Sequence, residues 1–302
     1  MGLLFPGQGT QMVGMGRSLV DHYETAAKLF EEASSILGYD WEKLCFEGPM
    51  QTLTESRHCQ PALFVHQFAA ARVLEELVGA EKFTLAMGLS IGEVAALAIA
   101  GVFDFKTGVK IVQKRGEFIQ EACEMSDGGM VSILGTTFDA VEKLCDLCAV
   151  EISNVNGPGQ IVLAGEKEKI RHVIEMATEV TGGKALPLNV AGAFHSSWME
   201  PAREKFDTFL GGIIFKKPKF KVISNVTGEI VENPERIKAL LIQQIVSPVR
   251  WWDCMRRAKR EGINYFYECG VGKTLANMAK RIDNELRVLS FGSYGDNIEF
   301  RR

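Results

Sequence analysis

The amino-acid sequence predicts an α/β fold: one compact α/β domain interrupted once by a small α+β domain. Three observations carry that reading. Short apolar runs alternate with longer stretches of helical period along most of the chain. The middle of the chain breaks that rhythm and orders its elements strand, helix, strand, strand, helix, strand. The length of 302 residues, with 46% hydrophobic and 24% charged residues, is ordinary for a globular chain with a sizeable core.

The elements follow in order. Gly2–Phe5 reads as a buried strand closed by Pro6-Gly7, and Gly16–Leu37 as one helix, with Leu19, Ala26, Leu29, Phe30 and Ala33 at helical spacing. Gln60–Leu77 is a second long helix, with Leu63, Phe64, Phe68, Val73 and Leu74 toward the core. The apolar run Thr84–Phe103 is long enough to cross a bilayer. Glu93 in its middle, with Gly88, Gly92 and Gly101, divides it instead into a strand, Phe83–Met87, and a packed helix, Ile91–Ala100. Phe105–Met125 is another helix. In the middle section Gly129–Gly135, Val150–Val155, Gln160–Gly165 and Lys184–Val190 read as strands, and Phe138–Cys148 and Glu166–Val180 as helices. The turn Asn156-Gly157-Pro158-Gly159 joins the central two strands. This βαββαβ order is the ferredoxin-like unit. The larger pattern then resumes with a helix at Ser197–Leu210, a strand at Phe220–Asn225, and helices at Pro234–Val246 and Trp251–Glu261. A strand at Tyr265–Glu268, a helix at Lys273–Ile282 and a strand at Leu286–Phe291 complete it. The domain boundaries that result are 1–126 with 192–302 for the larger domain and 127–191 for the insert.

Charge and cysteine usage narrow the function. With 34 Lys and Arg against 38 Asp and Glu, the net charge is −4, which is not that of a general nucleic-acid binder. Seven scattered cysteines do not make a disulfide framework and fit a reducing cytoplasm. The opening MGLLFPGQGTQ lacks a secretory pattern, and Pro6 breaks the myristoylation motif. A cytoplasmic protein without a membrane segment is expected.

Gly88-Leu89-Ser90-Ile91-Gly92 matches the nucleophile elbow G-x-S-x-G, with an apolar strand before it and an apolar helix after it. A serine on that sharp turn is pushed out of the sheet, and the N–H of Ile91, which opens the helix, points at a developing oxyanion. The other reading of Ser90 is a simple helix cap. A serine nucleophile needs a base. Of the five histidines, His22 and His66 read as half-buried helix surface, His172 as solvated and His58 as a loop residue. His195 lies between a strand and a helix, where the chain returns to the larger domain.

Several segments resemble one known family, the malonyl-CoA:acyl carrier protein transacylases. Phe5-Pro6-Gly7-Gln8-Gly9-Thr10-Gln11 resembles its FPGQG[ST]Q opening, Gln60-Pro61-Ala62-Leu63 its QPAL segment, and Gly88–Glu93 its GxSxGE elbow. Gln113–Gly116 resembles its arginine motif, Asn156–Gln160 its NSPGQ, Gly192–Ser196 its GAFHS, and Gln244–Val249 its QxxNPV. The resemblance implies an α/β-hydrolase-like larger domain and a ferredoxin-like insert. It implies Ser90 as the acylated nucleophile, His195 as base and acid, and Gln8 and Ile91 as backbone donors to the oxyanion. It further implies that the Gln244 carbonyl orients the imidazole and that Arg115 clamps the malonyl carboxylate, with Gln60, Phe194 and Asn156 also lining the substrate site. Malonyl-CoA and acyl carrier protein are the implied partners of a monomer that needs no metal or redox cofactor. A guanidinium suits the clamp because it binds a carboxylate bidentately and stays charged. Leu89, Val94, Ile119, Ser247 and Val271 depart from the usual family residues, which leaves acyl-chain specificity open.

An acyl hydrolase acting on carrier-bound chains is the alternative enzyme, and a silent carrier-binding subunit the non-enzymatic one. Cys145-x-x-Cys148 lacks a second ligand pair for a metal. Gly270-Val271-Gly272-Lys273-Thr274 fails as a phosphate loop, because Tyr267 stands where its first glycine belongs. Lys216, Lys217 and Lys219 read as a solvated edge. Lys114, Arg256, Arg257, Lys259 and Arg260 are candidates for receiving an acidic carrier, with solvated surface the plainer reading.

Overall fold

The computed structural model describes residues 1–38 and 41–298. Among the described residues, nine strands form two separate sheets. β1 (Gly2–Phe5), β2 (Leu85–Gly88), β7 (Lys221–Val222), β8 (Tyr265–Cys269) and β9 (Arg287–Phe291) make a parallel sheet in the order β7-β2-β1-β8-β9. β3 (Gly128–Leu134), β4 (Glu151–Gly157), β5 (Gln160–Glu166) and β6 (Lys184–Leu188) make an antiparallel sheet in the order β4-β5-β3-β6.

Parallel strands covered on both faces are expected to be apolar throughout, and β1 is: Leu3 and Phe5 enter one apolar cluster, Leu4 the other. β2 and β8 alternate likewise, with Ala86 and Tyr267 on the first face and Leu85, Met87 and Phe266 on the second. The long helices Ser56–Val78 and Phe105–Glu124 supply residues to the first cluster. Helices Trp251–Arg260 and Thr274–Ile282 supply Cys254, Met255, Leu275 and Met278 to the second. The antiparallel sheet has its own core, in which Val131, Ile133, Ile161 and Leu163 meet Val141, Leu144, Ile170 and Val173 from two helices. Those helices, Phe138–Cys148 and Lys167–Thr181, therefore cover the same face of the smaller sheet.

The two sheets are joined by backbone. Val155 N donates to Val249 O at 2.9 Å and Val249 N to Ser153 O at 2.8 Å, which ties β4 to the chain just beyond Gln244.

Four sequence readings need correction. The helix predicted over Gly16–Leu37 is two, Arg17–His22 and Glu24–Leu37, because Tyr23 is extended. The break lets His22 stack on Tyr294 at 3.8 Å and brings Tyr23 within 6.0 Å of the same ring. The strand predicted over Phe220–Asn225 shrinks to β7, because Asn225 turns its amide groups toward the elbow instead of a ladder partner. His66 is fully buried rather than half-exposed, and its Nε2 donates to Gly292 O at 2.9 Å. His58 lies in the first turn of helix Ser56–Val78, not in a loop. Two short helices, Trp41–Glu47 and Met50–Thr54, were not anticipated. No helix among the described residues is long and apolar enough to cross a membrane.

Candidate active site

The C-terminal ends of β1 and β2 lie side by side, with Phe5 in register with Gly88. Crevices outside such ends are where open parallel sheets bind ligands. The chain must turn from β2 into helix Ile91–Ile99 within two residues, and two glycines permit this. A Cβ on Gly92 would stand 2.1 Å from Phe5 O, and one on Gly88 would stand 2.0 Å from Gly92 C. Ser90 absorbs the turn with φ 56° and ψ −111°, a strained position for a residue bearing a side chain. His195 also has a positive φ, 57°.

The imidazole of His195 reaches across to this serine. Nε2 lies 2.7 Å from Ser90 Oγ and Nδ1 lies 2.8 Å from Gln244 O. A carbonyl only accepts, so Nδ1 carries the proton and the bare Nε2 accepts from the serine hydroxyl. Burial, and then the positive charge of Arg115, lower the His195 imidazole to about 4. The ring is therefore neutral, the form that a general base requires.

Arg115 comes from helix Phe105–Glu124 and is only 1% exposed. Its Nη1 donates to Gln60 Oε1 at 2.7 Å. Its Nη2 donates to Gln244 Oε1 at 2.9 Å and lies 3.3 Å from Ser90 Oγ. Burial lowers the guanidinium to about 10, which leaves it charged at neutral pH. Behind it, burial raises the Glu93 carboxyl to about 7. Its Oε2 accepts from Gln244 Nε2 at 2.6 Å and from Asn225 N at 3.0 Å. Asn225 in turn accepts from Ser90 N at 2.7 Å and donates to Gly88 O at 2.7 Å.

The loop after β1 stands beside the serine. Leu89 N donates to Phe5 O at 2.9 Å, and Gln67 Nε2 pins Pro6 O at 2.7 Å. Gln8 follows, its side chain bonded to Ser56 Oγ at 3.2 Å. Ile91 is the first residue of its helix, so its N–H is among the donors with no intrahelical acceptor.

Ser90, His195, Arg115, Gln60 and Gln244 thus share one hydrogen-bonded constellation, with Gln8 and Ile91 on its flanks. Phe194 packs at the junction of the large cluster and the smaller sheet. Asn156 stands outside these bonds. It lines a groove of about 210 Å³ with Pro158, Gln160, Met278 and Arg281, between the β4–β5 turn and helix Thr274–Ile282. Sequence reasoning missed Asn225 and Gln67, and used Glu93 only against a membrane span and as the end of the GxSxGE elbow, with no role of its own. A charge inside an apolar run, and an amide in a helix as apolar as Ser56–Val78, were the available signals. The basic residues offered to a carrier are largely engaged. Arg257 and Arg260 bind Glu229, Lys259 binds Asp283 and Glu285, Lys114 binds Glu117, and Arg256 sits over Trp252.

A hydroxyl held against a neutral imidazole can be acylated, and a buried cation beside it can sort acyl groups by charge. The class so defined is that of acyl-transferring enzymes with a serine nucleophile and an acid-binding pocket. Comparison with known proteins agrees. The acyl transferase domain family matches residues 3–276. The malonyl CoA-acyl carrier protein transacylase of Bacillus subtilis is 37% identical over 292 residues, covering 95% of this chain and 92% of that protein. The Escherichia coli protein of the same name is 36% identical over 287 residues, 94% of this chain and 93% of that one. The acyl carrier protein S-malonyltransferase of Vibrio cholerae superposes with a TM-score of 0.93 at 36% identity, over 98% of this chain and 97% of that one. A malonyl-transacylase solved with its type II PKS acyl-carrier protein gives 0.93 at 36% identity, over 97% and 96%. The chain belongs to the malonyl-CoA:acyl carrier protein transacylase family.

Proposed function

We propose that this enzyme moves a malonyl group from malonyl-CoA to the phosphopantetheine thiol of an acyl carrier protein through a malonyl-serine intermediate, for fatty-acid or polyketide synthesis. Ser90 Oγ attacks the thioester carbonyl carbon while His195 Nε2 takes its proton. The oxygen that becomes negative sits between the backbone N–H groups of Gln8 and Ile91. The C–S bond breaks, and His195 returns the proton to the departing coenzyme A sulfur. The carrier thiol then gives its proton to His195 and attacks the acyl carbon, and Ser90 leaves with the proton. The Gln244 carbonyl keeps the imidazole in the required tautomer, and Arg115 holds the free carboxylate of the acyl group. The observation that carries this reading is the serine oxygen lying 2.7 Å from Nε2 and 3.3 Å from a guanidinium nitrogen. Gln60 and Phe194 border the acyl pocket, and Asn156, farther out, meets the coenzyme or carrier arm along its groove.

We read residues 1–126 and 192–302 as an α/β-hydrolase-like catalytic domain and 127–191 as a ferredoxin-like insert. The separate core of the smaller sheet and its β4-β5-β3-β6 order support this. A cytoplasmic monomer with no metal or redox cofactor completes the proposal.

Intact mass after mixing with malonyl-CoA tests it: one malonyl adduct forms on the wild-type chain and none on Ser90→Ala. Adding carrier protein discharges the adduct to the carrier. Prompt release of free malonate without carrier identifies a hydrolase instead.

A further inference from the structure

We propose that Glu93 is a positioning residue for acyl transfer, a buried carboxylate that fixes both the backbone of Ser90 and the acceptor of His195 through two amide side chains. The inference rests on the roles proposed for Ser90 and His195 and deepens them.

Glu93 is 3% exposed and touches neither reacting group. Oε2 accepts from Asn225 N at 3.0 Å and from Gln244 Nε2 at 2.6 Å, and the Ser224 side chain is a further hydrogen-bonding neighbour of the carboxyl. The first leads to the nucleophile, since Asn225 spans the elbow from Gly88 O to Ser90 N, each at 2.7 Å. The second leads to the base and the clamp. Gln244 offers its backbone oxygen to His195 and its side-chain oxygen to Arg115.

The chemistry of the neighbours forces the Gln244 amide into one orientation. Arg115 can only donate, so it must face Oε1. An ionised Glu93 can only accept, so it must face Nε2. With an apolar residue at 93 the amide would lose its shortest bond and keep Arg115 Nη2 on Oε1 and Ser90 O at 3.2 Å from Nε2, so the backbone carbonyl that aims the imidazole would be held less firmly. When ionised, the carboxyl also attracts the buried guanidinium, from which one amide separates it.

Glu93→Ala and Glu93→Gln separate the idea from simple packing, because glutamine keeps the size and one acceptor oxygen while exchanging the charge and the second oxygen for an amide NH2. The assay is rapid-quench intact mass with malonyl-CoA on the full chain, beside thermal melting. Misplacing reacting groups by an ångström costs on the order of 100-fold in rate. Glu93→Ala is therefore expected to slow saturating acylation by about 30- to 100-fold with KM within about threefold of wild type, and Glu93→Gln to recover to within about fivefold. Asn225→Ala, which cuts the Ser90 branch while leaving Glu93 in place, should show the same loss of rate at unchanged KM, and it serves if Glu93→Ala does not fold. Wild-type acylation by Glu93→Ala or by Asn225→Ala overturns the proposal. So does a Glu93→Gln protein that melts like wild type yet loses as much rate as a folded Glu93→Ala. An adduct persisting on Ser90→Ala would instead defeat the catalytic reading beneath it.

Discussion

Replacing Arg115 with alanine should change which acyl group the enzyme accepts more than how fast it works. The guanidinium is 1% exposed and is held by Gln60 and Gln244 beside the serine. A malonyl carboxylate entering that pocket leaves water and depends on this cation. Stranding a buried charge costs about 3–5 kcal/mol, and at 1.36 kcal/mol per tenfold the loss in kcat/KM for malonyl-CoA is about 2.2 to 3.7 powers of ten. The guanidinium itself is buried from solvent, so surface screening does not weaken the effect. Acetyl-CoA brings no carboxylate, so its rate should stay within about tenfold of wild type and the preference for the acid should collapse. Arg115→Lys keeps the charge without the planar fork and should fall between. The assay is acyl-enzyme formation with each coenzyme A ester, followed by mass and paired with melting curves. Equal losses for malonyl and acetyl groups would refute the reasoning, because they would make Arg115 a structural residue.

Three further outcomes are expected. Gly92→Ala would drive the added carbon to 2.1 Å from Phe5 O and 3.0 Å from Pro6 O, both backbone, so it should destabilise the fold by about 3 kcal/mol or more, read from urea unfolding; an unshifted midpoint would contradict that close approach. Gln244→Ala keeps the carbonyl for His195 but leaves Arg115 Nη2 and Glu93 short of a partner, a loss of about 2 kcal/mol by the same measurement, and a protein as stable as wild type would count against that network. The His195 imidazole is lowered to about 4, and only the neutral ring can accept the serine proton, so kcat/KM should hold from neutral pH downward and fall as pH drops through that value. Arg115 contributes to the lowering, so Arg115→Ala assayed with acetyl-CoA should move the acid limb upward; a limb that stays in place would show that burial alone sets it.

The elements most legible in the sequence were those whose cause is local. Helix Phe138–Cys148 was read to the residue, because its period is clean and Thr137 caps it. The elbow was legible because strand, glycines, serine and helix are contiguous. Arg115 entered through resemblance to a family, since neither its spacing nor its type distinguishes it from a solvated charge; His195 stood out by its place between a strand and a helix, and the resemblance gave it its role. What stayed hidden depends on distant chain. The extended Tyr23 answers to Tyr294, and the shortened β7 to Asn225 serving the elbow. Glu93 illustrates the limit. One residue within an apolar run was visible, but that its carboxylate would meet Gln244 and Asn225 could not be read from any local pattern.

The two backbone bonds between Val249 and the 153–155 stretch of β4 set how the cleft can open. A hinge at the junction of the sheets cannot swing freely, since any tilt of the smaller one must either snap that pair of bonds or drag along the peptide holding the imidazole. Room for an arriving pantetheine arm is therefore expected from side chains yielding along the rim rather than from a swing of the smaller sheet.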